Sequence, residues 1–344
     1  MPPRDNISMQ MVREALLQSG LPLATRAALL TQAGIDPASL DQAPTRVPVR
    51  AYARLWRLLA VHLDDEFFAM DPRPLRSGSL AFICRTSIAQ PSVQRGIESM
   101  LEFLGLMLTR FNARLTRHDR LVEITLLPET APPLRAFAYC TFWIIVHGVI
   151  CWLAGRRVPL LGMQLRSPAP AYCDDYRVMF GESLSFAQPH TRIIFSVDCL
   201  DLPVRRSEAQ LQRFLARAPA NILVKYRDPD SFAQAIKAQL RGLAPAQWPD
   251  STRLARQWCM SPATLRRRLA EQQQSYQRLK DGVRRDLAVA ALAEPLLTLA
   301  DIAERLGFAD TGSFLKAFRK WTGSSPGEYR RLLQHRGGQT AHAD

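Results

Sequence analysis

Apolar residues recur at helical spacing in two short runs near the end of the chain. Leu299, Ile302, Ala303 and Leu306 stand at i, i+3, i+4 and i+7, and Phe314, Ala317, Phe318 and Trp321 repeat that spacing. Each run predicts a helix with one buried face. Thr298 and Asp301 form a Thr-x-x-Asp start, in which the hydroxyl caps an amide and the carboxylate sits at the positive helix end. Gly307 follows the first run, where a left-handed stop is least costly, and Asp310 is placed to cap the second helix. The side of that helix opposite its apolar residues carries Gly312, Lys316 and Arg319, flanked by Ser313 and Lys320. A small, basic face on a helix braced by its predecessor suits a DNA major groove. Taken alone, the stretch also reads as a helical hairpin with an ordinary solvated face.

The pattern occurs twice. Leu254–Met260 parallels Ile302–Phe308, and Ser261–Leu269 parallels Asp310–Phe318, a repeat of about 49 residues. In the first copy Ser261 is the cap and Pro262 takes the first helical position, where its missing N–H costs nothing. Leu265 and Leu269 face inward. Ala263, Arg266 and Arg267 face outward, with Thr264 at the edge and Arg268 nearer the core boundary. Cys259 stands where the second copy has Gly307, so that turn is expected to carry strain of up to ~1 kcal/mol or a different shape. Between the copies, Ser275–Leu292 predicts an amphipathic helix with Tyr276, Leu279, Val283, Leu287 and Ala290 inward and Lys280, Arg284 and Arg285 outward. It would run roughly 27 Å, a spacer able to hold two recognition helices near one duplex turn (roughly 34 Å) apart.

The first two thirds read differently. Helical patterns cover residues 9–33, Val49–Leu63 and Val93–Leu108, while Leu121–Leu127, Leu161–Leu165 and Thr191–Val197 have the composition of short strands. Residues 167–190 read as loop, punctuated by Pro168, Pro170, Gly181 and Pro189. The expected fold class is therefore an α+β N-terminal domain followed by an all-α domain with two helix-turn-helix modules joined by a long helix. Ala136–Ala154 has no formal charge and is long enough to span a bilayer, but His147 at its middle and the polar flanks point to a buried core helix. Cys140, His147 and Cys151 share one stripe of that helix, which raises a metal- or haem-linked redox sensor as an alternative. Two turns between the first pair make core packing the better reading.

Charge sharpens the picture. The chain of 344 residues carries a net +14, and residues 231–344 hold 18 Lys and Arg against 10 Asp and Glu. The last third is thus about three times as charge-dense as the rest, which points to a polyanion partner. Six cysteines form no C-x-x-C pair, as expected of reduced thiols in a cytosolic protein. Arg13 and Glu14 interrupt any apolar leader, so no secretion is indicated. Gly-rich phosphate loops and H-x-x-x-H are missing from the sequence. A DNA-repair enzyme would need a reactive Cys, and only Cys84-Arg85 comes near.

The order of residues through Ile302–Phe308, Ser313–Gly323 and Ser325–Arg330 resembles the C-terminal signature of AraC/XylS-type transcription regulators. Arg46-Val47-Pro48 and Phe180–Pro203 resemble, more weakly, the N-terminal domain of the branch that includes ornithine-responsive regulators, often labelled arabinose-binding. Nothing in these residues indicates a sugar. The resemblance implies an effector-sensing or dimerisation domain over 1–217, a linker over 218–230, a DNA-binding domain over 231–334 and a disordered tail over 335–344. It implies a cytoplasmic, nucleoid-associated activator that is not an enzyme, needs no cofactor, and is not bound to a membrane. Its expected partners are promoter DNA, RNA polymerase and an unidentified small-molecule effector, with a second copy of the chain as a further candidate. Base contacts are expected from Ala263, Thr264, Arg266 and Arg267, with Arg266 and Arg267 suited to guanine and Ala263 to a thymine methyl. Thr311, Gly312, Ser313 and Lys316 match the family's second reading face, although Lys316 stands where the family often has Arg. Ser261, Lys280, Arg284, Arg285, Arg319 and Lys320 are the expected phosphate contacts.

Overall fold

Gly148 on a long central helix shows how tightly the first part of this chain packs. A Cβ added there would stand 2.6 Å from the Ile222 side chain, so only glycine admits the neighbouring helix so closely. The computed structural model describes residues 6–42, 45–127, 132–155, 158–181, 183–223, 232–271 and 274–334. They divide into two compact units, one built from most residues up to Leu223, the other from Phe232 onward.

The first unit runs β1 Asn6–Ser8, α1 Met9–Gln18, α2 Leu23–Ala33, β2 Arg46–Pro48, α3 Val49–Leu63, α4 Ser79–Ile88, α5 Val93–Met107, β3 Ala113–His118 and β4 Leu121–Leu126. It continues with α6 Ala136–Leu153, β5 Leu160–Gln164, α7 Cys173–Phe180, β6 Leu184–Ser185, β7 Arg192–Ser196, α8 Glu208–Arg217 and α9 Ala220–Leu223. Five strands form one sheet in the order β3-β4-β7-β5-β6, with β5 antiparallel to β7 and parallel to β6. β1 and β2 pair separately, Ile7 opposite Val47. Mixed α+β architecture is as expected.

Several elements differ from the sequence reading. Residues 9–33 form two helices rather than one, because Gly20 turns left-handed (φ 65) and Pro22 caps the next start. The stretch 167–190 contains α7 and β6 despite its prolines. Ala136–Leu153, with mean hydropathy 1.8, lies 94 % buried and is the core helix of this unit. Part of the expected linker, α9, packs on α6 at Gly148. Residues 224–231 and the expected tail from 335 lie outside the described residues.

The second unit is all helical: α10 Phe232–Arg241, α11 Ser251–Gln257, α12 Pro262–Glu271, α13 Tyr276–Ala293, α14 Leu299–Arg305, α15 Thr311–Thr322 and α16 Pro326–Gln334. α13 packs against α10 on one side and against α14, α15 and α16 on the other. Its buried stripe is Tyr276, Leu279, Val283, Asp286, Val289 and Leu292. Ala290, expected inward, is exposed, since the stripe follows 3.6 residues per turn through 289.

Candidate nucleic-acid interface

The second module is assembled by caps. Thr298 Oγ1 accepts the Asp301 amide at 3.1 Å, and the Asp301 carboxylate accepts the Thr298 amide at 2.8 Å. α14 then stops at Gly307 (φ 72), whose amide donates to Glu304 at 2.9 Å while Phe308 donates to Ala303 at 3.0 Å. Asp310 opens α15 by accepting the Ser313 amide and hydroxyl, both at 2.7 Å. Those bonds from Ser313 hold the Asp310 carboxyl below its usual range. Phe314 and Phe318 are fully buried and join Phe308, Trp321 and Tyr329 in a chain of ring contacts. The opposite face presents Gly312, Ser313, Lys316, Arg319 and Lys320 to solvent, with Thr311 half-buried at its edge.

The first module repeats this construction. Met260 donates to Ala255 at 3.0 Å, the counterpart of Phe308 to Ala303, so both turns close with the same bond. Cys259 takes the left-handed conformation (φ 51) that Gly307 takes in the second copy. The turn therefore keeps its shape and carries the strain. The second turn holds one extra residue, Ala309, before its cap. Ser261 Oγ accepts the Thr264 amide at 3.1 Å, Leu265 and Leu269 are buried, and Ala263, Arg266 and Arg267 are exposed with Thr264 half-buried. Arg268 is exposed too, its guanidinium 5.0 Å from the Phe232 ring. Each module thus brings the residues expected to contact bases onto one side of its second helix.

The joining helix places its cations less simply. Lys280 is half-buried with its ammonium 5.1 Å from the Tyr276 ring. Arg285 pairs with the buried carboxylate of Asp286 at 2.9 Å. Arg284 is half-buried, and its guanidinium lies 5.0 Å from the Trp248 ring and 5.4 Å from the Phe308 ring. Outward direction on a helical wheel indicated phosphate contacts, but Arg284 and Arg285 are engaged within the protein. The aromatic partners lie in loops, where no periodicity flags them.

The first unit holds a cavity. It is half-open, about 230 Å³ in volume, and is lined by Trp56, Arg57 and Ala60 of α3, Glu66, Leu75, residues of α4, Ile145 of α6, and Leu215, Ala218, Pro219 and Ile222. Glu66 accepts the Gly78 and Leu80 amides, both at 2.8 Å, and burial raises its pKa. Among the described residues no group of three His, Cys, Asp or Glu side chains could hold a metal ion. Cys140 is buried, and its desolvated thiol titrates well above the usual thiol range. His147 Nε2 donates to the Val158 carbonyl at 2.7 Å, and Cys151 Sγ accepts the Val158 amide at 3.2 Å. These side chains tie α6 to the approach to β5. Cys84 is fully buried, with its thiol pushed up to about 12, the opposite of an activated nucleophile.

Residues 24–204 match the family described as the arabinose-binding N-terminal domain of AraC transcription regulators, and residues 254–332 match a helix-turn-helix domain. The ornithine utilization regulator of Pseudomonas aeruginosa is 26% identical over 246 residues, covering 71% of this chain and 72% of that protein. The HTH-type regulator VqsM of the same organism is 32% identical over 111 residues, covering 29% of this chain and 34% of its own. The crystal structure of the transcriptional regulator CdpR from Pseudomonas aeruginosa aligns over 91% of this chain and 99% of its own at 22% identity, with a TM-score of 0.29. With the first match spanning more than half of the chain and the second covering both modules, this protein belongs to the AraC family of DNA-binding transcription regulators.

Proposed function

We propose that this regulator reads two successive major-groove segments of one asymmetric promoter site, α12 in the first and α15 in the second. The observation that carries this is the equivalent exposure of Ala263, Arg266 and Arg267 on α12 and of Gly312, Ser313 and Lys316 on α15, behind turns closed by the same hydrogen bond. Arg266 and Arg267 suit bidentate contacts to guanine, each worth roughly 1–3 kcal/mol of discrimination. Thr264 and Thr311 border the two faces. Gly312 and Ser313 allow close backbone approach, and Lys316 adds charge without a fork. Ser261, Lys280, Arg319 and Lys320 set register on phosphates. The test is selection of bound genomic fragments at ~150 mM salt with wild type and an Arg266→Ala/Arg267→Ala variant. A shared asymmetric site, at which the variant loses preference at a few adjacent bases, supports the reading. Identical random fragments for both proteins would remove it.

On the same reading, residues 1–217 together with α9 sense an effector, residues 224–231 connect, and the protein acts in the cytoplasm as an activator touching RNA polymerase, with a second copy of the chain as a further candidate partner. The apolar cavity beside α9 suits a small, largely apolar effector. A cavity of 150 Å³ holds one benzene, so 230 Å³ suits about ten non-hydrogen atoms. The ornithine utilization regulator's name does not transfer its ligand to this wall chemistry. A thermal-shift screen of small aromatic and aliphatic compounds tests this, with Ala81→Leu narrowing the cavity; a hit that shifts both proteins equally would place the effector elsewhere.

A further inference from the structure

Arg284 of α13 lies against an aromatic ring from the segment before α11 and against one from the turn of the second module. Trp248 stands just before α11, with its indole N–H donating to the Leu240 carbonyl at 2.7 Å, so its ring is fixed on the first module. Phe308 sits in the turn of the second module, against Phe314 and Trp321. The Arg284 guanidinium lies within 5.4 Å of both rings, inside the range at which an aromatic face attracts a cation. Its Nε is buried without a hydrogen-bond partner, so ring contact rather than polar pairing holds that part of the group. A second close approach lies beside it. A Cβ on Gly307 would stand 3.2 Å from the Ala246 backbone nitrogen, so the turn of the second module rests on the segment that leads to Trp248.

We propose that the contact of Arg284 with Trp248 and Phe308 fixes the offset between α12 and α15, and so determines which separation of half-sites the protein accepts. Arg284 is on this account a positioning residue, not a DNA contact. One base pair added between half-sites moves the second by roughly 3.4 Å along the duplex and about a tenth of a turn around it. A rigidly stacked pair of modules cannot follow that displacement. A pair hinged at α13 can. The planar guanidinium is suited to lie between two rings in a way that an ammonium is not.

The test uses the full-length protein and a bipartite site selected by wild type from random duplexes, then the same site with one base pair inserted or removed between its halves. Wild type should lose about tenfold or more at either altered spacing. Arg284→Ala should keep the base preferences of each half yet bind all three spacings within about threefold. Arg284→Lys keeps the charge and should behave more like the Ala variant than like wild type. Should Arg284→Ala fail to fold by circular dichroism, the Lys variant carries the comparison. Wild-type spacing preference in the variants would overturn the proposal, as would a uniform loss at all spacings with the salt slope reduced by about one, the mark of a phosphate contact. The inference rests on both modules reading one duplex. A wild-type site with a single half would remove that reading as well, whereas a bipartite site with unchanged variant profiles would remove only the role of Arg284.

Discussion

Replacing Gly307 with Ala tests the turn on which the second module depends. Gly307 has φ 72, a conformation that costs an L-residue about 1–2 kcal/mol. The new methyl would lie 3.2 Å from Ala246 N, 3.4 Å from Pro245 C and 3.5 Å from Ala246 Cα. All three are backbone atoms and cannot rotate away, so overpacking adds about 1–3 kcal/mol. Reduced freedom of the unfolded chain returns about 0.4–1 kcal/mol. The net loss should fall at about 1–4.6 kcal/mol, which opens α14 and α15 some five- to 2,000-fold more often, at about 1.4 kcal/mol per decade. Hydrogen exchange by mass spectrometry on the full-length chain reads this opening helix by helix. Gly327→Ala is the control. It sits in the first turn of α16 with nothing within 4 Å, and should stabilise by about 0.5–1 kcal/mol. If the two substitutions give the same exchange in α14 and α15, the argument from conformation and close approach is wrong. In the first module the reasoning runs the other way. Cys259→Gly relieves the left-handed strain of φ 51 and, after the unfolded-state term, should gain up to about 1 kcal/mol.

Other consequences can be measured on the same protein. Arg192 and Glu123 pair at 3.1 Å with both side chains almost wholly buried, and Arg192 also donates to Gln164 at 2.7 Å. Glu123→Ala should therefore lower stability by about 3–5 kcal/mol in urea denaturation, while Glu123→Leu/Arg192→Leu should cost less than the single change. Asp65 is buried and accepts the amides of Phe67, Ala69 and Leu75 at 2.7–2.9 Å. Asp65→Ala strands these donors and should cost about 3 kcal/mol or more, seen as a fall in the melting temperature. Asp301, Asp310 and Glu328 are held below their usual range by bonds from Thr298, Ser313 and Ser325. Depressed folded-state values mean that their stabilisation is complete above the ordinary carboxylate range and lost as pH falls through the lowered values. Amide protection at the starts of α14, α15 and α16 should then weaken in acid, and Asp310→Asn should flatten that dependence at α15. An unchanged acid profile in the Asn variant would show that the cap does not act through its charge.

Legibility followed the kind of information each element uses. α14 and α15 were readable because cap, apolar spacing and stop all agree locally: Thr298 with Asp301, the run through Leu306, Gly307, then Asp310. α13 is readable as a helix, yet its expected register departs by one residue at the far end, where Val289 and not Ala290 faces inward. The first unit was harder. β1 and β2 are three residues each, too short to show alternation, and exist because they pair with each other. β6 has only two residues and is defined by Met163 and Gln164 opposite it. α7 was hidden by the prolines around it. The break at Gly20 and Pro22 was visible in composition, but the apolar pattern runs across it and outweighed it.

The interface was legible for a different reason than the joining helix was not. On α12 and α15 a helical wheel suffices, since a recognition face is whatever the core leaves exposed, and Leu265, Leu269, Phe314 and Phe318 fix the core unambiguously. On α13 both flanks are covered, because helices from the two modules pack on it, and the outward arc at Lys280, Arg284 and Arg285 is half-buried. Direction alone then predicts a charge facing a phosphate, when the same direction meets Trp248 and Phe308. Net charge cannot resolve this, because an arginine held near aromatic rings contributes the same +1 to the total as one on a groove. The excess of basic residues after residue 231 therefore overstates the number available to DNA: Arg285 is matched by Asp286, and Arg284 is placed to set the geometry with which the exposed arginines of α12 and the lysines of α15 meet the duplex.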